Sequence, residues 1–392
     1  MRILIAHEAA TGGGGVESYL AALIPALIGR GDAVAFLHYR PRTESGPTRL
    51  QFENVPHFSV EEDGLDIVLQ GVAEWRPDVC FSHNMGPLDV DEALLGKWRV
   101  VKMMHGFFGT CISSQKAHGF PSVVPCTRAF GASCIALYVP RRCGSLHPAK
   151  AFRSFAWNSR QRHVLDRYAA VVVASRYMQD EYARQGLDRA RLVTAPLFPT
   201  IDKATAPRET PASPTVLFAG RMTDLKGPLV LMEAAGIAGR LLGQPLDVIM
   251  AGDGPQRARV IDAARTWGVR ASFPGWVTGE ARTSVMRRAS IVAVPSLWPE
   301  PFGLVGLEAG VHGVPAVAFD VGGISEWLHE GVNGRLVRER GSATAFGRAL
   351  ATTLGDAAAL RKLEHGALTV AARMTLGAHL QKLDAAFAMA RA

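Results

Sequence analysis

Residues 295–310 read PSLWPEPFGLVGLEAG and directly follow the apolar run Ile291–Val294. Four apolar residues that end at a Pro predict a short buried strand, and the apolar run that starts at Leu304 predicts a helix. The first N–H groups of such a helix lack partners within it, so they can bind an anion. Glu308 stands in this apolar run, where a carboxylate needs a partner such as the hydroxyls of a sugar or ribose. For Glu300 an ordinary surface salt bridge remains the alternative.

The same alternation of short apolar strands and amphipathic helices extends along the chain and predicts βα units around parallel sheets. Two series of strands are predicted: Ile3–His7, Ala33–His38, Asp78–Ser82, Val100–Met104 and Ala170–Ala174, then Thr215–Ala219, Asp247–Ala251, Ile291–Val294 and Pro315–Phe319. The Pro-rich stretch 196–214 between the series predicts a linker. The predicted fold class is therefore α/β, with two Rossmann-like domains that face each other across a cleft. The predicted domains are 1–205, completed by a C-terminal helix within 375–392, and 206–374.

Length and composition agree with two globular domains. The chain has 392 residues, 48% of them hydrophobic and 20% charged, which excludes a disordered composition. No apolar run approaches the ~18 residues of a membrane helix, and the apolar start is too short for a signal peptide. We therefore expect a cytoplasmic protein.

The positive charge is concentrated in one stretch. The 73 residues from Ala93 to Leu165 contain no Asp or Glu but eleven Lys and Arg, more than the net charge of +8 for the whole chain. Aromatic residues interleave with these cations. The stretch could face a phosphate-bearing lipid or a membrane surface or be an ordinary solvated face; nucleic acid is the least favoured partner.

Residues 218–228 read FAGRMTDLKGP. A strand ends there, a Gly turn follows, and Arg221 and Lys226 flank the start of the next helix. Two cations at a helix N-terminus can hold a pyrophosphate and stabilise its charge as it leaves. Solvated surface cations are the alternative for this motif taken alone.

A Gly cluster, residues 12–15, follows the first strand. Its spacing does not fit the Gly-x-Gly-x-x-Gly fingerprint of dinucleotide sites, and the second strand ends in His38-Tyr39-Arg40 without an acidic residue for a ribose. The cluster therefore argues against an NAD site. It is either an anion-binding loop or a simple strand-to-helix turn.

Taken together, these motifs resemble retaining GT-B glycosyltransferases of glycosyltransferase family 4. The resemblance rests on the E-x7-E pair, on G-R-x4-K-G and on the N-terminal Gly loop, and it extends to AGDGP at 251–255, FPGWV at 273–277, GGISE at 322–326 and GVNG at 331–334. It implies a nucleotide-diphosphate sugar bound mainly by the second domain, and an acceptor bound by the first.

The resemblance also implies roles for single residues. Arg221 and Lys226 bind the diphosphate, and Glu300 contacts sugar hydroxyls together with the N–H groups of Phe302 and Gly303. The remaining donor contacts are Leu304 and Val305 N–H groups to phosphate, Glu308 to the ribose, Trp276 and Val277 to the base, and the glycines Gly14, Gly15 and Gly252. His105, after the strand Val100–Met104, matches the family histidine beside the reacting carbon.

The implied reaction is transfer of a hexose-type sugar from a UDP- or GDP-sugar to an acceptor hydroxyl with retention, in the synthesis of bacterial surface polysaccharide, glycolipid or a related glycoconjugate. We expect no cofactor and no divalent metal, since cations and a helix N-terminus can neutralise the leaving diphosphate and no Asp-x-Asp motif is apparent. The alternatives are a nucleotide-sugar epimerase of the same fold and a non-catalytic nucleotide-sugar binding protein; a phosphorylase would need a pyridoxal-phosphate lysine and a longer chain.

Four of the five cysteines fall in the basic stretch: Cys111, Cys126, Cys134 and Cys143. They lack the Cys-x2-Cys spacing of zinc sites, so reduced buried thiols are favoured over a structural metal site or redox pair. The acceptor is expected to be anionic or lipid-linked, with the protein peripheral at the inner face of the membrane.

Overall fold

The computed structural model describes residues 1–12, 14–40, 48–50, 52–201, 208, 211 and 213–391. The chain divides into two compact units. The first comprises Met1–Gln115, Arg128–Pro196 and Leu376–Ala392, and the second comprises Lys116–Thr127 and Leu197–Thr375. The domain boundary predicted at 205/206 lies outside the described residues.

The described residues form the following strands: β1 (Arg2–Ala9), β2 (Thr11–Gly12), β3 (Ala33–Arg40), β4 (Thr48–Arg49), β5 (His57–Ser59), β6 (Val79–Ser82), β7 (Val100–Met104), β8 (Ala117–His118), β9 (Val124–Pro125), β10 (Ala170–Val173), β11 (Leu192–Thr194), β12 (Thr215–Ala219), β13 (Asp247–Ala251), β14 (Arg270–Gly275), β15 (Ile291–Val294), β16 (Ala316–Phe319) and β17 (Gly334–Val337).

They also form these α-helices: α1 (Gly15–Gly29), α2 (Val60–Asp63), α3 (Leu65–Trp75), α4 (Leu88–Leu95), α5 (Ser133–Tyr138), α6 (Pro148–Leu165), α7 (Arg176–Arg184), α8 (Pro228–Leu242), α9 (Arg257–Trp267), α10 (Gly279–Arg287), α11 (Leu304–Val311), α12 (Ala343–Gly355), α13 (Ala357–Arg373) and α14 (Leu376–Arg391).

The first unit is organised around a parallel sheet with the strand order β11-β10-β7-β6-β1-β3-β5 within the described chain. Strands β6, β7 and β10 are buried along their whole length, as expected for a parallel sheet covered on both faces. Helix α14 packs on β6, β7, β10 and β11, and the rings of Phe387 and Phe81 lie 5.2 Å apart. The last helix of the chain therefore completes the core of the first unit.

The second unit has a parallel sheet with the order β14-β13-β12-β15-β16-β17 in the described residues. From β12 the chain builds outward through β13 and β14, then returns to place β15 on the other side of β12. The direction of building reverses between β12 and β15, and in such sheets ligands bind at this switch point, beyond the carboxyl ends of the strands. The predicted α/β architecture with two parallel sheets is confirmed.

Across the described residues, no helix is both long enough and apolar enough to cross a bilayer.

Candidate active site

The loops that leave β12, β13 and β15 touch one another at the switch point. Leu297 N–H donates to Leu225 O over 2.8 Å, and Gly220 N–H donates to Ala251 O over 2.9 Å. Gly227 has φ +65°, and a Cβ there would lie 2.1 Å from the carbonyl oxygen of Pro295. The backbone thus requires glycine at this position, which holds the first loop directly against the third.

Lys226 and Glu300 form an ion pair where these loops meet. The Lys226 Nζ lies 2.6 Å from Glu300 Oε1, and the same oxygen accepts hydrogen bonds from Ser296 Oγ at 2.5 Å and Trp298 Nε1 at 3.0 Å. Glu300 is 3% exposed, whereas the Lys226 side chain is 31% exposed. The salt bridge considered for Glu300 is therefore present, but its carboxylate is buried rather than on the surface.

The second carboxylate oxygen of Glu300 points to a further use of this group. Within the described part of the chain, Oε2 accepts no hydrogen bond, while Oε1 accepts three. A carboxylate can accept about four hydrogen bonds. Glu300 thus keeps accepting capacity that a ligand hydroxyl can use.

Helix α11 begins beside this pair with its N-terminal donors uncapped. Gly303 adopts a left-handed conformation with φ +79°, no side chain caps the helix, and its first turn contains no acidic residue. Leu304 and Val305 are partly buried. The buried Phe302 is held by a hydrogen bond from Trp327 Nε1 to its carbonyl at 2.8 Å. Together the free N–H groups and the helix dipole favour an anion at this position.

Glu308, in the second turn of α11, is fully buried and already has partners. Its Oε1 accepts from Thr200 Oγ1 at 2.8 Å, and its Oε2 pairs with the guanidinium of Arg282 on α10. Burial raises the pKa of Glu308, and the nearby Arg282 opposes that rise. The chain itself thus supplies the partners that the buried Glu308 carboxylate needs. A ribose would have to share this carboxylate with Thr200 and Arg282.

Four other predicted donor residues lie on the same edge of the sheet. Arg221 is exposed after β12, and Trp276, after β14, is 60% exposed. Val277 is partly buried. A Cβ on Gly252 would lie 2.0 Å from Gly220 O, so this glycine keeps two loops in contact. Among the described residues no hydrogen bond joins Arg221 or Trp276 to the Lys226–Glu300 pair.

In the first unit, the Gly loop is closed by a carboxylate. Gly14 N–H donates to Glu17 Oε2 at 2.9 Å, and Glu17 Oε1 lies 3.4 Å from His7 Nε2. The hydrogen bond to His7 lowers the pKa of Glu17. The Glu17 carboxylate therefore occupies the Gly14 donor that the resemblance assigns to phosphate. The neighbouring Gly15 is exposed, with open space where a Cβ would stand.

His105 lies after β7 and shares a hydrogen bond with His83, which follows β6. The distance from His83 Nδ1 to His105 Nε2 is 3.0 Å. Removal from water lowers the pKa of His105 to about 3 and the pKa of His83 well below its ordinary value, so both rings are neutral at pH 7. His83 Nε2 is buried without a partner among the described residues. Because an orphaned N–H is rarer than an orphaned acceptor, we assign the proton to His83 Nδ1, which leaves His105 with its proton on Nδ1.

A buried ion pair holds the backbone of His83. Lys102 Nζ donates to the carbonyl oxygen of His83 at 2.5 Å and to Asp91 Oδ2 at 2.5 Å. Asp91 also accepts from Tyr168 Oη at 2.8 Å and from Ser82 Oγ at 2.5 Å. These hydrogen bonds offset the free-energy cost of removing the two charges from water. The Lys102–Asp91 pair thereby positions the end of the strand that carries His83.

Two family models match the chain in succession. Residues 13–198 match Glycosyltransferase Family 4, and residues 213–356 match Glycosyl transferases group 1. The chain therefore belongs to the family 4-like glycosyltransferases. The two matches fall in the two series of βα units and together leave little of the chain unmatched.

Curated relatives of this glycosyltransferase include D-inositol 3-phosphate glycosyltransferases. The protein of Nocardia farcinica is 37% identical over 205 residues, which are 47% of this chain and 45% of that protein. The protein of Rhodococcus erythropolis is 38% identical over 136 residues, 33% of this chain and 30% of that one. The matched stretches thus span less than half the length of these relatives.

Solved structures share the fold of this glycosyltransferase over nearly its whole length. HepE of Anabaena in complex with UDP and glucose has a TM-score of 0.70 at 18% identity and covers 98% of this chain and 99% of its own. The apo lipopolysaccharide outer core galactosyltransferase WaaB has a TM-score of 0.68 at 14% identity, with coverage of 98% and 99%. These likenesses establish the GT-B fold.

The cysteines of the glycosyltransferase are not gathered into a metal site in the described residues. Cys134 and Cys143 pack against a small apolar cluster of Ile112, Tyr138 and Ala151, and Cys111 is buried. The structural-metal alternative therefore gains no support from the geometry.

Sequence reasoning missed several residues that shape the site of this glycosyltransferase. They are Arg282 and Thr200 around Glu308, Ser296 and Trp298 around Glu300, and His83 beside His105. Ser296 and Trp298 stand within the quoted motif, so their closeness to Glu300 was a usable signal. Arg282, Thr200 and His83 are distant in sequence from their partners, and only tertiary structure brings them there.

Proposed function

We propose that this glycosyltransferase is a retaining enzyme that moves a hexose-type sugar from a UDP- or GDP-sugar to an acceptor hydroxyl. Its pathway would be the synthesis of bacterial surface polysaccharide, glycolipid or a related glycoconjugate. The observation that carries the proposal is the Lys226–Glu300 pair at the switch point, beside the uncapped start of α11. This arrangement puts a partly exposed cation, a carboxylate oxygen without a hydrogen bond among the described residues and uncapped N–H donors in one place.

Each of these groups has a distinct task in the proposed donor site. Lys226 and Arg221 bind the diphosphate, and the N–H groups of Leu304 and Val305 complete its coordination as negative charge develops on the leaving group. Glu300 Oε2 accepts from sugar hydroxyls and so orients the ring, without acting as a nucleophile. Positive charge at these positions stabilises the departing diphosphate, so the proposed step contains no divalent metal.

The base and ribose are placed by the neighbouring loops in this proposal. Glu308 accepts from the ribose hydroxyls, and Trp276 with Val277 lies against the base. HepE was solved with UDP and glucose, which makes UDP-glucose the first donor to test. The Trp276 side chain is 60% exposed, so a base can reach its ring and stack on it.

The first unit supplies the acceptor side in this proposal. His105 is neutral at pH 7, and its Nδ1–H can donate to a hydroxyl of the transferred sugar or of the acceptor. The Gly14–Gly15 loop would approach the phosphates once Glu17 releases the Gly14 N–H. We place the enzyme in the cytoplasm, with peripheral association at the membrane if the acceptor is lipid-linked.

The decisive experiment is to incubate the protein with UDP-, GDP- and ADP-sugars and to measure nucleotide release with and without acceptors. A transferase releases nucleotide faster when an acceptor is present, and the product keeps the anomeric configuration of the donor by NMR. Interconversion of the donor sugar without an acceptor would instead identify an epimerase. Binding of a nucleotide sugar without turnover would identify a non-catalytic protein. Activity that persists in EDTA would support the metal-free step, and loss of activity restored by a divalent ion would refute it.

A further inference from the structure

A cavity lies in the first unit, in the acid-free stretch Ala93–Leu165. It has a volume of about 340 Å³, which is within the range of small-molecule sites. The polar side chains on its wall come from three segments of the chain; they are Ser113, Gln115, Tyr138, Ser145, Lys150, Arg153 and Ser154. The cavity is therefore built by tertiary structure around a set of hydrogen-bonding side chains.

The charges on this wall are all of one sign. Lys150 and Arg153 lie three residues apart on α6, so they share a face of the helix, and no carboxylate lines the cavity. The acidic residues Asp89 and Glu92 on α4 are paired with Arg160, further along α6. In the described chain, neither Lys150 nor Arg153 forms an ion pair. Two like charges at this spacing destabilise a helix, and a bound anion would remove that repulsion.

The remaining lining groups match the oxygens of a phosphoryl group. Hydroxyls of Ser113, Ser145 and Ser154 and the amide of Gln115 can donate to such oxygens, and a guanidinium can bind two of them at once. The start of α6 adds to the positive field, because its first turn has no side-chain cap and no acidic residue. A carboxylate ligand would use fewer of these donors than a phosphate monoester would.

We infer that this cavity binds a phosphoryl group carried by a small molecule or a lipid headgroup. Binding of the phosphoryl group in this cavity does not depend on the donor site. We also assign this ligand as the sugar acceptor, and that assignment alone rests on the proposed function. The exposed side chains of Leu146 and Phe152, each 60% exposed, stand beside the cavity residues in sequence. They would contact the apolar part of a lipid, so both sources of the phosphoryl group are tested below.

The test compares the double variant Lys150→Gln/Arg153→Gln with the charge-matched control Lys97→Gln/Arg141→Gln, whose positions lie in the same acid-free stretch but do not line the cavity. Glycerol 3-phosphate is titrated into each full-length protein by calorimetry. In parallel, each protein is sedimented with phosphatidylcholine vesicles that contain phosphatidic acid or none. We expect at least a tenfold loss of binding in the cavity variant, since it removes two charged hydrogen bonds, and unchanged binding in the control.

The two arms identify the source of the phosphoryl group. Selective loss of glycerol 3-phosphate binding supports a soluble phosphomonoester, and selective loss of binding to phosphatidic acid vesicles alone supports a lipid headgroup. Equal binding by wild type and cavity variant, an equal loss in both variants, or no binding by wild type in either arm overturns the inference. Nucleotide release from a UDP-sugar by the wild type is measured separately, so a failure of the proposed function would be seen independently of this result.

Discussion

Replacing Lys226 with Met tests whether the Lys226–Glu300 pair serves stability, catalysis or both. The change keeps a long apolar stem but leaves the buried Glu300 carboxylate without its cation. Breaking a fully buried pair costs about 3–5 kcal/mol. Because the Lys226 side chain is 31% exposed and partly screened by water, we expect the free energy of unfolding of the second unit to fall by about 2 kcal/mol.

The double variant Lys226→Met/Glu300→Gln separates the two roles. Glutamine can still accept from Ser296 and Trp298, so Glu300→Gln alone should cost about 1 kcal/mol. The double variant leaves no buried charge unpaired. Its loss in the free energy of unfolding should therefore be smaller than the sum of the two single losses by about 1 kcal/mol or more. If Lys226 binds the leaving diphosphate as proposed, sugar transfer should remain at least about a hundredfold slower than wild type in both variants that lack it.

Urea denaturation and nucleotide release are measured for wild type, both single variants and the double variant. Arg240→Met is a matched control, because each cation lies over a tryptophan ring: Lys226 is 5.3 Å from the centroid of Trp298, and Arg240 is 5.1 Å from that of Trp267. It should retain full activity. Recovery of transfer in the double variant would show that Lys226 acts only by holding Glu300, and unchanged stability in Lys226→Met would show that the pair is not engaged in solution.

Three further predictions follow from the geometry. Gly227→Ala should lower the free energy of unfolding by more than about 3 kcal/mol and abolish donor binding, because its Cβ would meet a carbonyl oxygen. Gly268→Ala, at the same φ of +65° but in open space, should lower it by only about 1–2 kcal/mol. Equal melting temperatures of the two variants would contradict this prediction. Burial lowers the pKa of His105 to about 3 and the pKa of His379 to about 4, so between pH 7 and pH 5 only the unfolded chain takes up protons at these two rings. Lowering the pH from 7 to 5 should therefore destabilise the first unit by about 2 kcal/mol for each of these histidines. A urea midpoint that does not change between these pH values would refute the prediction. If His83 positions His105, His83→Phe should lower kcat about tenfold with little change in the donor KM. A change in the donor KM with kcat unaltered would argue against that role.

The buried strands were the most predictable part of this molecule. Thr215–Ala219, Asp247–Ala251 and Ile291–Val294 were predicted with the bounds that the structure shows, because continuous apolar runs between Gly or Pro are typical of parallel strands. Strand Arg270–Gly275 was missed. It alternates between exposed and partly buried residues and contains Pro274, which weakens any strand prediction.

The candidate site was predictable only where partners are close in sequence. The motif around Glu300 brings its own hydrogen-bond donors, Ser296 and Trp298. Lys226 comes from a different loop, and its pairing with Glu300 was not predicted. Glu308 was different: the apolar run around it signalled that a partner was needed but not that Arg282 would be that partner. Sequence spacing carries no information on which distant cation reaches a buried carboxylate.

The way in which the two units share the chain limits how parts of this enzyme can be exchanged with relatives. The first unit consists of three separate stretches of chain and the second of two. A chimaera spliced once near residue 197 would carry a foreign α14 against its first sheet and would leave Lys116–Thr127 with the wrong partner sequence. A recombinant that keeps each unit intact needs junctions near residues 116, 128, 197 and 376. The two units are therefore not separable by a single crossover in this chain.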